Sequence, residues 1–81
     1  MDAIRTWKFA NGIIVSEEEF DYDLHCFEVY NGETYLGKVV PGSVKDMKSC
    51  IDALDSGEDP ISAGWEDGLG NACTLEGWGE N

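Results

Sequence analysis

Between residues 4 and 40 the apolar side chains recur in short β-branched and aromatic runs, broken twice by the dipeptide Asn-Gly. Asn11-Gly12 separates residues 4–10 from 13–16, and Asn31-Gly32 separates 20–30 from 33–40. Asn and Gly accept positive φ more cheaply than other residues, and both central residues of a type I′ turn require it. Two such pairs between strand-like runs predict two tight hairpins and four strands, at about 4–10, 13–16, 20–30 and 33–40. In the third run Phe20, Tyr22 and Leu24 alternate with Asp21, Asp23 and His25; the phase then slips, so that Phe27 and Val29 hold the apolar positions. A β-bulge near Cys26-Phe27 would keep a single core face. The alternative is a strand buried on both sides there.

Pro41-Gly42 ends the fourth run, because proline cannot donate to a strand ladder. The period then changes. Val44, Met47, Ile51 and Leu54 recur at spacings of three, four and three, and Cys50 widens the stripe, which predicts a helix over 43–55 with one face buried on a sheet. Ser43 is placed to cap it, with Asp46 at the third helical position. Gly57 supplies the left-handed residue past its end, and Pro60 forbids continuation. Residues 61–81 are rich in glycine, yet they include Trp65, Leu69, Leu75 and Trp78, too much apolar area to leave in water. Asp67-Gly68 predicts a third short hairpin, 61–66 against 69–75, folded back on the rest. The expectation is one α+β domain over 1–81: an antiparallel β-meander of about four strands, one amphipathic helix on one face, and a Gly-rich C-terminal hairpin or extension.

Charge changes the picture most. Seventeen Asp and Glu against five Lys and Arg give a net charge of −12, and the surplus is uneven. Seven carboxylates and no Lys or Arg lie between Glu17 and Glu33, and eight more lie beyond Ser49, again without a base. Such a field repels DNA, RNA and anionic membranes and favours a basic partner or a cation. Two acidic surfaces are expected: Glu17, Glu18, Glu19, Asp21 and Asp23 along the sheet, and Asp52, Asp55, Glu58, Asp59, Glu66 and Asp67 from the helix end onward. Residues two apart on a strand point the same way about 6.6 Å apart. A rigid row of carboxylates at that interval would imitate phosphates and compete for the Lys and Arg contacts on which nucleic-acid-binding proteins depend. The bland reading is a solvated surface and edge-strand protection. The helix carries Lys45 and Lys48 near its start and Asp52 and Asp55 at its end, against the sense of its dipole.

Other chemistry is sparse. The oxygen ligands between Asp55 and Asn71 match no calcium-loop pattern, and Cys26, Cys50, Cys73 and His25 have the wrong spacing for zinc. One histidine, no G-x-S-x-G, no H-E-x-x-H and no Gly-rich phosphate loop followed by Lys leave no catalytic constellation, so no enzyme and no cofactor are expected. Three cysteines are an odd number that no closed disulfide framework uses up, Met1 is followed by no basic and apolar leader, and Ile13-Ile14-Val15 is far too short to span a bilayer. The expected setting is the cytoplasm with reduced thiols.

The function expected is a non-enzymatic acidic protein that blocks a basic, nucleic-acid-binding surface of a partner protein by charge mimicry, without contacting nucleic acid or membrane itself. Small size, heavy acidity and absent catalytic residues are also the general character of phage and mobile-element inhibitors of anti-restriction and anti-CRISPR type, a likeness of type that transfers no residues. In the alternative, Tyr30, Tyr35, Trp65 or Trp78 anchors a structural assembly or a homodimer, with charge serving solubility.

Overall fold

The computed structural model describes residues 3–79. Four strands follow one another, β1 (Arg5–Lys8), β2 (Ile13–Asp21), β3 (Leu24–Asn31) and β4 (Thr34–Val39), then helix α1 (Val44–Asp55), then a hairpin of β5 (Ala72–Thr74) and β6 (Gly77–Gly79). The first four pair antiparallel in the order β1-β2-β3-β4, and β5 with β6 makes a separate two-stranded sheet. This is the α+β meander with one helix that the hydrophobic pattern predicts.

Both Asn-Gly pairs reverse the chain, though by turns other than type I′. At the first, the Gly12 N–H donates to the Phe9 carbonyl at 3.1 Å and the Phe9 N–H to the Ile13 carbonyl at 2.9 Å, with Gly12 alone at positive φ (93°). That is a three-residue loop closed by a left-handed glycine. At the second, Asn31 pairs with Thr34, and of the two loop residues only Gly32 has positive φ (61°), as in a type II′ turn. The asparagine side chains also reach distant partners. Asn11 Nδ2 donates to Asp59 Oδ2 at 2.9 Å, and Asn31 Nδ2 to the Leu75 carbonyl at 3.1 Å.

The largest departure from the pattern is in β2. It does not stop at Ser16 but runs on through the three glutamates to Asp21, and the chain reverses at Tyr22-Asp23. Phe20, Tyr22 and Leu24 therefore share no strand face. The phase slip reflects this turn, and the irregularities lie elsewhere: at Phe20, between Glu19 and Asp21, and at Leu36, where β4 carries one residue more than β3. At Cys26-Phe27 itself there is no bulge, and both side chains are buried, at 3 % and 0 % exposure.

One sheet face carries the core. Ile13, Val15, Phe27, Val29 and Leu36 meet Met47 and Leu54 of α1 and Cys73 of β5, with Trp7, Phe9, Trp65 and Trp78 packed around them. The Phe27 ring lies 6.2 Å from that of Trp7 and 5.7 Å from that of Trp65, centroid to centroid. Each fully buried side chain of this size contributes about 1.5–3 kcal/mol. The Ser43 side chain accepts the Asp46 N–H at 3.1 Å and caps α1. At the other end the Gly57 N–H reaches the Leu54 carbonyl and the Glu58 N–H the Ala53 carbonyl, a Schellman closure with Gly57 at φ 96°. Val44 is the one member of the predicted stripe that stays exposed.

The C-terminal hairpin forms further along than Asp67-Gly68 suggests. Between 61–66 and 69–75 there is a single bridge, Glu66 to Ala72, with the Cys73 N–H bonded to the Trp65 carbonyl, while the ladder proper joins β5 to β6 around Leu75-Glu76. The Asp67 carboxylate accepts the Leu69 and Asn71 N–H groups at 2.8 and 2.9 Å, which curls 67–71 into a closed loop instead of two extended arms. β6 lies beside β4, and the Trp78 indole rests on Gly37, where any Cβ would overlap the ring nitrogen.

Candidate functional site

The acidic residues fall into two groups, those the fold consumes and those it presents. Glu17 belongs to the first. It sits opposite Arg5 on one side and Phe27 on the other, on the core face of the sheet, and is 2 % exposed. The His25 Nδ1–H donates to its Oε2 at 2.6 Å and Arg5 Nε to its Oε1 at 3.3 Å. A buried carboxylate is tolerated when it is paired and hydrogen-bonded, and both conditions hold here. The His25 backbone N–H is taken by Met47 Sδ at 3.2 Å, which fastens the start of β3 to α1.

Asp59 is consumed as well. It is 7 % exposed, and its carboxylate accepts the Ile61 and Ser62 N–H groups, both at 2.9 Å, together with the Asn11 amide. It starts the turn that follows Gly57 and ties it to the β1–β2 loop. Asp67 closes its own loop, and the Asn71 N–H, helped by Leu69 and the Asn71 amide, holds its carboxyl below the usual carboxylate range. Asp55 accepts the Trp7 Nε1–H at 2.9 Å and stands 3.8 Å from Arg5 Nη1, so it is partly engaged although exposed. Glu17, Asp59 and Asp67 thus belong to the fold and not to a presented acidic surface.

The presented group is concentrated at the β2–β3 turn. Glu19, Asp21 and Asp23 are exposed and make no ion pair or side-chain hydrogen bond among the described residues. Phe20 and Tyr22 stand between them, 53 % and 102 % exposed, and Tyr22 has φ 28°, the one non-glycine residue at positive φ among those described. Asp52, Glu58 and Glu66 are exposed elsewhere, on α1, just past it and before the Asp67 loop. The tip aromatics are what the sequence reading missed. Their alternation with Asp imitates a strand face, and no Gly, Asn or Pro stands at Tyr22-Asp23 to mark the reversal.

Glu18 points the other way, onto the sheet face opposite the helix. Register places Thr6, Lys8, Ile14, Ser16, Cys26, Glu28, Tyr30, Tyr35 and Lys38 on that face with it. Partial burial, and then the charge of Glu28, push the Glu18 carboxyl above its ordinary value. The Tyr30 and Tyr35 rings meet edge to face at 5.3 Å. The two lysines and two glutamates of this face cancel.

The three thiols are unpaired with one another. Burial, and then the charge of Asp59, push Cys73 up to about 11, and burial also raises Cys26 and Cys50. Among the described residues no three His, Cys, Asp or Glu side chains gather as a metal site requires, and no helix is long and apolar enough to cross a membrane. Comparison of the chain with family models, with curated proteins and with solved structures found no match.

Proposed function

We propose that this is a non-enzymatic binding protein that presents its carboxylates to a basic surface of a partner protein, of the kind that holds nucleic acid. What supports the reading is the division of labour among charges. Every ion pair within 4 Å among the described residues runs through Glu17 or Asp55, with Arg5 and His25 as partners, while Glu19, Asp21 and Asp23 stay exposed and unpaired in a chain of net charge −12. These three groups are carried on a hairpin that is continuous with the sheet, a support that a disordered acidic tail lacks. A small inhibitor of anti-restriction or anti-CRISPR type is the concrete form of this activity. It acts by competition for Lys and Arg and by long-range steering, with no covalent step.

The test is binding to purified restriction and CRISPR effector proteins as a function of salt, with DNA as competitor. Affinity should fall at least tenfold between low and moderate ionic strength, and DNA should displace the protein. Reversing Glu19, Asp21, Asp23 and Asp52 to Lys should abolish binding without unfolding the chain; Asp55 is spared because it holds Trp7. Binding that ignores both salt and the reversed charges would exclude the mimic.

A second reading rests on the sheet face opposite the helix. Its charges cancel, α1 and the C-terminal hairpin leave it open, and it carries Ile14, Tyr30 and the half-exposed Tyr35. An assembly contact there, with a second copy or a larger complex, would be nearly indifferent to salt. Sedimentation of the Tyr35→Ser variant against the parent chain tests it, since loss of a dimer on that substitution requires the face.

A further inference from the structure

The β2–β3 tip holds more than charge. Two large aromatic side chains, Phe20 and Tyr22, are set in water at the end of a rigid hairpin when the core lies on the inner sheet face. Tyr22 sits at the first of the two residues that join Asp21 to Leu24, with positive φ, where a turn of this kind takes glycine. The sequence therefore places a bulky residue where the backbone disfavours it and where no intramolecular contact rewards it. On either side stand Glu19, Asp21 and Asp23, which form no ion pair among the described residues.

We infer that the tip is an aromatic anchor: Tyr22, with Phe20 beside it, enters an apolar pocket on the cationic partner while Glu19, Asp21 and Asp23 pair with Lys or Arg at the pocket rim. The inference rests on the charge reading above and adds the shape and polarity of the partner site. Tyrosine suits the part, because it brings large apolar area with only two side-chain torsions to fix, and it is enriched among residues that dominate binding energy. Charge complementarity selects the occupant. A second copy would bring three further carboxylates against these three, whereas a basic rim neutralises them. A bare nucleic-acid groove, polar throughout, would satisfy the carboxylates and leave both rings unused.

The probe is a soluble peptide alternating Arg and Leu, titrated into the full chain and followed residue by residue by NMR, beside the same peptide with Ser in place of Leu. The amides of residues 19–24 should shift, and the Arg-Leu peptide should bind about tenfold more tightly than the Arg-Ser one. Tyr22→Gly should leave the melting temperature unchanged or raised, since glycine accepts the backbone conformation, and yet bring Arg-Leu binding down to the Arg-Ser level. Tyr22→Phe should keep the preference. If Tyr22→Gly binds both peptides as the parent chain does, or loses binding only together with stability, the anchor is excluded while salt-dependent binding at the tip leaves the charge reading standing. If neither peptide binds, the charge reading fails with it.

Discussion

A carboxylate as deeply buried as that of Glu17 has to be compensated in place, and the compensation comes from far along the chain. Arg5 is 12 residues away and His25 is 8, on the strands to either side. No local pattern announces this, because Glu17, Glu18 and Glu19 look alike in sequence. One is clamped in the core face, one is raised in pKa by burial and by Glu28, and one is free in solvent. Removing the clamp while leaving its partners, Arg5 and His25, should be costly. Glu17→Ala is expected to destabilise the protein by about 2–3 kcal/mol, lowering its melting temperature by roughly 10–20 °C in thermal unfolding followed by circular dichroism. Glu19→Ala, two positions further along β2 at an exposed site, should change stability by less than about 0.5 kcal/mol.

At the scale of elements, the sequence was legible where backbone chemistry is local. Asn11-Gly12 and Asn31-Gly32 do reverse the chain, Ser43 caps α1 through Asp46, and Gly57 closes it. The helix follows from spacing alone, apart from Val44. What remained hidden was set by partners distant in sequence. β2 extends across its glutamates because Glu17 finds Arg5 and His25, and the reversal at Tyr22-Asp23 lacks the glycine that marks the other two hairpins. The last hairpin is displaced because Asp67 satisfies its own loop and Trp78 needs somewhere to lie. That place is Gly37, where a side chain would collide with the indole. Gly37→Ala should therefore expel Trp78 and loosen β6 from β4. The measurement is tryptophan emission, which should move to longer wavelength, together with faster amide exchange at 77–79 and little change in β2.

Over the whole molecule the acidic surplus is divided and not uniform: buried clamps inside, a neutral face on the open side of the sheet, and unpaired groups at the tip and around the helix end. The total accessible surface is 5049 Å², so the net charge of −12 amounts to about one per 400 Å², and the fold bears that repulsion before any partner arrives. Alkaline pH should expose how thin the margin is. Cys26, Cys50, Cys73, Tyr30 and Tyr35 are all raised, chiefly by burial, so the unfolded chain releases these protons at lower pH than the folded one. Stability is fully present below about pH 9, the ordinary thiol value, and should fall as pH climbs toward about 11, where Cys73 ionises in place. Urea unfolding midpoints measured from pH 8 to 11 check this, and a flat profile would contradict it. The two asparagine amides that fasten the C-terminal segment to the sheet carry a slower liability. Each precedes a glycine, the context in which such amides hydrolyse most readily. Conversion of Asn11 to an acid would set a new anion against Asp59 and erase one of the two fastenings. A stored sample should accordingly age from its C-terminal cover inward, shedding the lid over the core well before the meander itself gives way.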